Sequence, residues 1–132
     1  MPRRGESTEA DAYKFIDDNL KLKGWDTRNP SRHPNGQVYT QNEYRSHDEL
    51  LRVLGQKTPE AIVKITESTV WVIESKRDHK DLEKALEEAK DYANRINTSG
   101  IIKAKFVSGV SGNEHDSFLQ KARILMEMSI NK

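Results

Sequence analysis

The sequence predicts an α/β fold, a mixed β-sheet flanked by helices with the core order αβββαβ. Three observations predict it. Two adjacent runs, Glu60 to Thr66 and Thr69 to Lys76, are rich in β-branched and aromatic residues and are joined by a short polar link, which reads as an antiparallel hairpin. From Lys80 to Asn97 the apolar period switches to 3.6, with Leu82, Ala85, Leu86, Ala89, Ala93 and Ile96 on one continuous stripe. Ile101 to Val110 then returns to β character, so strand–helix–strand over residues 69–108 is expected to form a right-handed crossover between parallel strands.

The remaining elements follow in chain order. Residues 1–7 are polar and read as a loose lead-in. Thr8 followed by Asp11 resembles a capping box, and Ala12, Phe15, Ile16 and Leu20 recur at helical spacing until Gly24 stops the segment. Residues 26–36 mix turn formers with Arg and His and read as a surface loop. Val38 and Tyr39 suggest a short strand, and His47 to Leu54, ahead of Gly55, a short helix. In the last strand Lys103 and Lys105 are expected to face away from Ile102, Ala104 and Phe106. A polar loop at 111–116 leads to a closing helix marked by Phe118, Ala122, Leu125 and Met126. With no internal repeat or composition break, residues 1–132 read as one domain.

Composition narrows the function classes. Hydrophobic residues make up 34% of the 132 residues and charged ones 33%, so a small core sits under a heavily ionised surface. The absence of cysteine excludes a disulfide framework, a thiolate nucleophile and a zinc–thiolate site. No apolar run approaches the roughly 18 residues of a membrane span, and the N-terminus lacks the apolar region of a signal peptide. The expectation is a cytoplasmic protein with no membrane partner. A net charge of +1 is small for a protein that grips nucleic acid unaided, so any such contact is expected to be local, or shared with other domains or subunits.

One constellation carries chemistry. On a strand, residues two apart share a face, which groups Glu74 and Lys76 with Val70 and Val72. Glu60 stands at the other end of the hairpin, and its register has two solutions. A two-residue turn at Glu67 and Ser68 pairs Glu60 with Ser75, on the wrong face. A three-residue loop at 66–68, or a bulge, pairs it with Glu74, with Cβ atoms about 5 Å apart. Two carboxylates that close repel unless a cation joins them or one is protonated. All-oxygen ligands, Glu60, Glu74 and the Ser75 carbonyl, favour a hard divalent ion such as Mg²⁺, with Mn²⁺ as a substitute. Lys76 beside them suits activation of an attacking water and stabilisation of a pentavalent phosphate.

Pro59-Glu60, then Glu74-Ser75-Lys76, with residues 61 to 73 between the two acids, resembles the motif of the PD-(D/E)XK nuclease superfamily. The flanking helix, hairpin, helix and strand resemble its restriction-endonuclease-like fold, and the likeness covers residues 8 to about 110. The opening helix from Thr8-Glu9-Ala10-Asp11 to Gly24-Trp25-Asp26 looks most like the N-terminal nuclease domains of Type I restriction subunits and of single-chain restriction–methylation enzymes. The resemblance implies a Mg²⁺-dependent DNA endonuclease in which Glu60, Glu74 and Lys76 are catalytic. It adds Glu9, from the first helix, to the metal site. It implies double-stranded DNA as substrate, and methyltransferase, specificity or translocase domains or subunits as partners. Two departures stand out. The first acid is usually Asp, and Glu60 is one methylene longer; the Gln-x-x-x-Tyr signature of many relatives reads Glu88-Ala89-Lys90-Asp91-Tyr92 here. Glu88 and Tyr92 lie on one flank of the helical stripe, roughly 100° and 60° from its centre, where they can reach the cleft edge. Glu88 cannot donate an amide hydrogen bond. Two rival readings are a catalytically inactive nuclease-fold module that binds DNA or protein, and a homodimeric nuclease like the Holliday-junction resolvases.

Other residues read as structural. His33, His47, His79 and His115 lie in separate segments without metal-ligand spacing, and there is no Gly-x-Ser-x-Gly elbow for a serine hydrolase. Trp25 and Trp71 sit in apolar contexts and are expected in the core. Arg28, Arg32, Arg77, Lys80, Lys103 and Lys105 are candidates for patches that contact a nucleic-acid backbone.

Overall fold

Alternating apolar patterning builds a four-stranded sheet in the computed structural model, which describes residues 9–76 and 82–111. The elements are α1 (Glu9–Leu22), β1 (Val38–Thr40), a 3-10 helix (Gln41–Ser46), α2 (Asp48–Leu54), β2 (Ala61–Thr66), β3 (Thr69–Lys76), α3 (Leu82–Asn97) and β4 (Lys103–Ser111). The sheet order is β1-β2-β3-β4. Its first two pairings are antiparallel and β3–β4 is parallel, across the α3 connection. The architecture is thus α/β, a mixed four-stranded sheet with three α-helices among the described residues. The expected lead-in at 1–7, the loop at 111–116 beyond its first residue, and the closing helix at 118–126 lie outside the described residues.

Each sheet face carries its own apolar layer. Ile62, Val70, Val72, Ala104 and Val107 cluster with Leu86, Ala89, Ala93 and Ile96 of α3 and with Leu50 and Leu54 of α2. On the other face Ile16 and Leu20 of α1 meet Val38, Ala61, Val63, Ile73 and Val110, with Trp25 and Trp71 packed alongside. The two indole rings meet edge to face with centroids 6.0 Å apart, and the Trp71 Nε1–H donates to Ser108 Oγ at 2.9 Å, so both tryptophans serve the core. Helix ends follow the punctuation. Gly24, at φ 95°, turns the chain after α1 while Trp25 N–H bonds the Leu20 carbonyl. The His47 Nδ1 accepts from Leu50 N–H at the start of α2, a capping role for one of the four histidines.

The hairpin register combines features weighed above as alternatives. Glu67 and Ser68 form a two-residue turn between the paired Thr66 and Thr69, and a bulge between Lys64 and Thr66 then shifts the ladder by one residue. Pairing continues to Ala61 opposite Ile73, so Glu60, the next residue outward, stands opposite Glu74. Without that shift Glu60 would face Ser75. Glu60 itself precedes β2 rather than opening it.

Two local expectations need correction, and one element has no counterpart in the sequence reading. A second bulge lies in β4: Val70 pairs with Ala104 but Trp71 pairs with Phe106. The additional residue, Lys105, moves Phe106 to the face opposite Ala104, and Val107 takes the core position expected for it. β4 begins at Lys103 rather than Ile101, because the Ser99 hydroxyl accepts from the Ile101 and Ile102 N–H groups and leaves Ile101 65% exposed. The 3-10 helix at Gln41–Ser46 was hidden by its single large apolar residue, Tyr44, which gives no period to read. Glu43 caps its start by accepting from Thr40 N–H at 3.0 Å. No helix of the described residues is long and apolar enough to cross a membrane.

Tyr44 is fully buried and its hydroxyl donates to the Gly55 carbonyl at 2.6 Å, tying the 3-10 helix to the end of α2. Tyr44→Phe keeps the ring and leaves that carbonyl without its donor, so urea denaturation should show a loss of about 1–2 kcal/mol.

Candidate active site

Side-chain alternation on β3 brings the chemistry to the sheet's α3 face. Val70 and Val72 are buried under α3, and two and four residues further on Glu74 and Lys76 point the same way as the strand ends. The apolar layer thus runs directly into ionic groups. Glu74 is 8% exposed and Glu60 6%, a burial unusual for carboxylates without a cation between them.

The two acids are bound differently. One Glu74 oxygen, Oε1, accepts from the backbone N–H of Glu60 at 3.2 Å and from its neighbour's, that of Ser75, at 3.1 Å. Tyr92 on α3 is also hydrogen-bonded to the Glu74 side chain. The Glu60 carboxylate instead accepts from the Ser75 hydroxyl at 2.9 Å. Glu60 therefore reaches towards the neighbouring residue of β3 while its backbone holds Glu74. Lys76 makes an ion pair with Glu88 of α3 at 2.7 Å, both side chains about one-third exposed. In that setting an ion pair contributes on the order of 0–1 kcal/mol, so its consequence is geometric: it fixes the ammonium over the strand end.

Electrostatics follow from burial. Loss of water pushes the Glu74 carboxyl up to about 7, the negative charges of Glu60 and Glu88 add to this, and the two backbone N–H bonds oppose it. Burial also raises the Tyr92 phenol to about 12, with the Glu74 and Glu88 charges in the same direction. Tyr92 thus remains a neutral donor.

Seven residues were expected at the site. Glu60, Glu74, Ser75 and Lys76 meet at the β2–β3 end, and α3 adds Glu88 and Tyr92 to them. Glu9 opens α1, whose apolar residues pack on the opposite sheet face, and its side chain lies outside the described residues. Among the described residues no group of three or more His, Asp and Glu side chains is placed to hold a metal ion. The donor set that the structure brings together is the carboxylate pair. This all-oxygen chemistry fits a hard divalent cation, and a carboxyl held near neutrality by burial and a like charge is the group such an ion would most readily ionise.

Of the basic candidates, Arg28 is taken up by Asp26, 2.6 Å away, which holds that carboxyl down at about 2. Lys103 and Lys105 are exposed on β4, and Arg77 and Lys80 lie outside the described residues. Missed in the sequence was a polar groove of about 330 Å³ lined by Lys57, Glu88, Asp91, Tyr92 and Arg95. Three of its α3 residues follow Glu88 at helical spacing, a signal that was present; Lys57 carried none. Comparisons with protein-family models, with curated proteins and with solved structures find no match for this chain.

Glu74 makes stability depend on pH in the sense opposite to a salt-bridged acid. Its folded pKa, about 7, exceeds the ordinary value of 4.5, so between these values the folded state holds a proton that the unfolded chain has released. The stabilisation is complete below pH 4.5 and is lost as pH rises through about 7, a change of about 3 kcal/mol for a shift of that size. Urea midpoints should fall from pH 5 to pH 8 in the wild type. Glu74→Gln should flatten that slope and be the more stable protein above pH 7.

Proposed function

We propose that this chain is a divalent-cation-dependent DNA endonuclease module, built on a restriction-endonuclease-like version of the α/β sheet. The observation that carries the reading is the one-residue bulge in β2, which sets Glu60 opposite Glu74 at the strand end that also bears Lys76. A hairpin has no folding need for two buried carboxylates at that point, and the pair carries an electrostatic cost. Phosphodiester hydrolysis uses such an arrangement.

In this reading Glu60 and Glu74 hold Mg²⁺ or Mn²⁺ with the Ser75 carbonyl, and Glu9 contributes from α1. The cation when bound acidifies water and neutralises charge on the phosphoryl group. The protein's own groups do the rest. Tyr92 and the two backbone N–H groups fix the Glu74 carboxyl in orientation. Lys76 supplies a positive charge where the phosphoryl oxygens gain negative charge in the transition state. Glu88 positions that ammonium against α3; a glutamine could accept the same hydrogen bond through its amide oxygen but would lack the carboxylate's charge. With a net charge of +1, target choice and most of the binding energy belong to other domains or subunits, as in a restriction–modification assembly.

One observation favours a second reading. The Glu60 carboxylate, one methylene longer than an aspartate, is engaged by the Ser75 hydroxyl, which suits a nuclease-fold binding module that has lost its metal chemistry. Calorimetric titration with Mn²⁺ separates the two, since the inactive module gives no heat that Glu74→Ala removes.

Plasmid DNA incubated with the protein and Mg²⁺ or Mn²⁺ should be nicked or linearised, and Lys76→Ala should slow this by roughly 10²–10³-fold. Equal products from the wild type and the variant would overturn the mechanism.

A further inference from the structure

We propose that the groove between the end of α2 and one flank of α3 is the track on which the sugar–phosphate backbone of duplex DNA lies as it enters the site, with Lys57 and Arg95 as its phosphate contacts. The inference rests on the nuclease reading and extends it to residues that take no part in the chemistry. Glu88 and Tyr92 belong to both places: they touch Lys76 and Glu74 on one side and line the groove on the other, so groove and site are continuous.

The lining argues for a polyanion rather than a small metabolite. Pockets for small organic ligands are lined mainly by apolar side chains. This groove has no aliphatic wall, only Lys57, Glu88, Asp91, Arg95 and the phenol of Tyr92. Its charges are not equivalent. Glu88 is neutralised by Lys76 at 2.7 Å. Among the described residues neither the Lys57 ammonium nor the Arg95 guanidinium has a carboxylate within salt-bridge distance. Both are exposed. The groove therefore offers two cations against one uncompensated acid, Asp91, where the whole chain offers an excess of one.

Position also fits. Lys57 is held by its backbone N–H, which bonds the Leu54 carbonyl at 3.1 Å and so fixes the residue just past α2. Glu88, Asp91, Tyr92 and Arg95 recur every three to four residues along α3 and share one flank. From Glu88 to Arg95 the helix rises about 10 Å, close to the axial rise of three nucleotides of one DNA strand. A strand laid along this flank passes Arg95 and Lys57 and arrives at Lys76.

The test measures binding without turnover: anisotropy of a short fluorescent duplex with the full chain in EDTA, over a series of salt concentrations. The Lys57→Ala/Arg95→Ala double variant should bind an order of magnitude or more weaker at about 0.1 M salt, and its slope of log affinity against log salt should be shallower by about 0.9 for each cation removed. Asp91→Asn should tighten binding severalfold. All three side chains are exposed, so urea midpoints should not move. A wild type that binds the duplex while the double variant shows the same affinity and slope would overturn the groove and leave the nuclease reading standing. A wild type that binds no duplex at any salt concentration would overturn the groove, and the plasmid test with Lys76→Ala would then decide the nuclease reading by itself.

Discussion

Two carboxylates buried side by side at the end of a hairpin constrain the rest of this structure. Glu74 is almost without solvent, lies near Glu60 and is held by backbone N–H groups that belong to the same two-strand corner. Ionising it there without a cation costs about 3 kcal/mol. A single large aliphatic side chain contributes about 1.5–3 kcal/mol when fully buried. The layers on the two sheet faces supply many such side chains, Ile62, Ile96 and Leu50 among them, so the fold tolerates the pair and maintains it as a strained, charge-hungry site.

Helix α3 links that strain to everything around it. Ala85, Ala89 and Ala93 let the helix lie close on the sheet, since small side chains leave little between backbone and strand. That proximity brings Tyr92 to Glu74 and Glu88 to Lys76. The same flank carries Asp91 and Arg95, turned outward into the groove. Core packing thus comes from one face of this helix, and orientation of the acid and presentation of surface charge from the flank beside it. They cannot be varied independently.

Much of this was legible in the sequence. The β-branched runs at 60–66 and 69–76 and the stripe from Ala85 to Ile96 locate the hairpin and α3 because periodicity reports which face meets the core. The parallel return of β4 follows from the helix between the strands. The pairing of Glu88 with Lys76 was not legible, since it joins the end of a strand to the flank of a helix. Nor was the switch of Phe106 to the opposite face, because a bulge leaves no mark in an alternating pattern that continues past it. The 3-10 helix at Gln41–Ser46 escaped for a related reason, depending on a distant carbonyl that holds Tyr44 rather than on any local repeat.

The sequence by itself determined which residues can do chemistry here and on which elements they ride. Acids, lysine, serine and tyrosine at strand and helix spacings fix the available donors and charges. Tertiary structure alone decided that Glu60 and Glu74 stand opposite each other, that Lys76 is held by Glu88, and that Lys57 joins Arg95 in one groove. The physical reason is that strand register and helix docking are collective. A one-residue bulge flips every side chain beyond it, and the energy that selects the bulge comes from burying whole apolar faces rather than from the residues at the bulge.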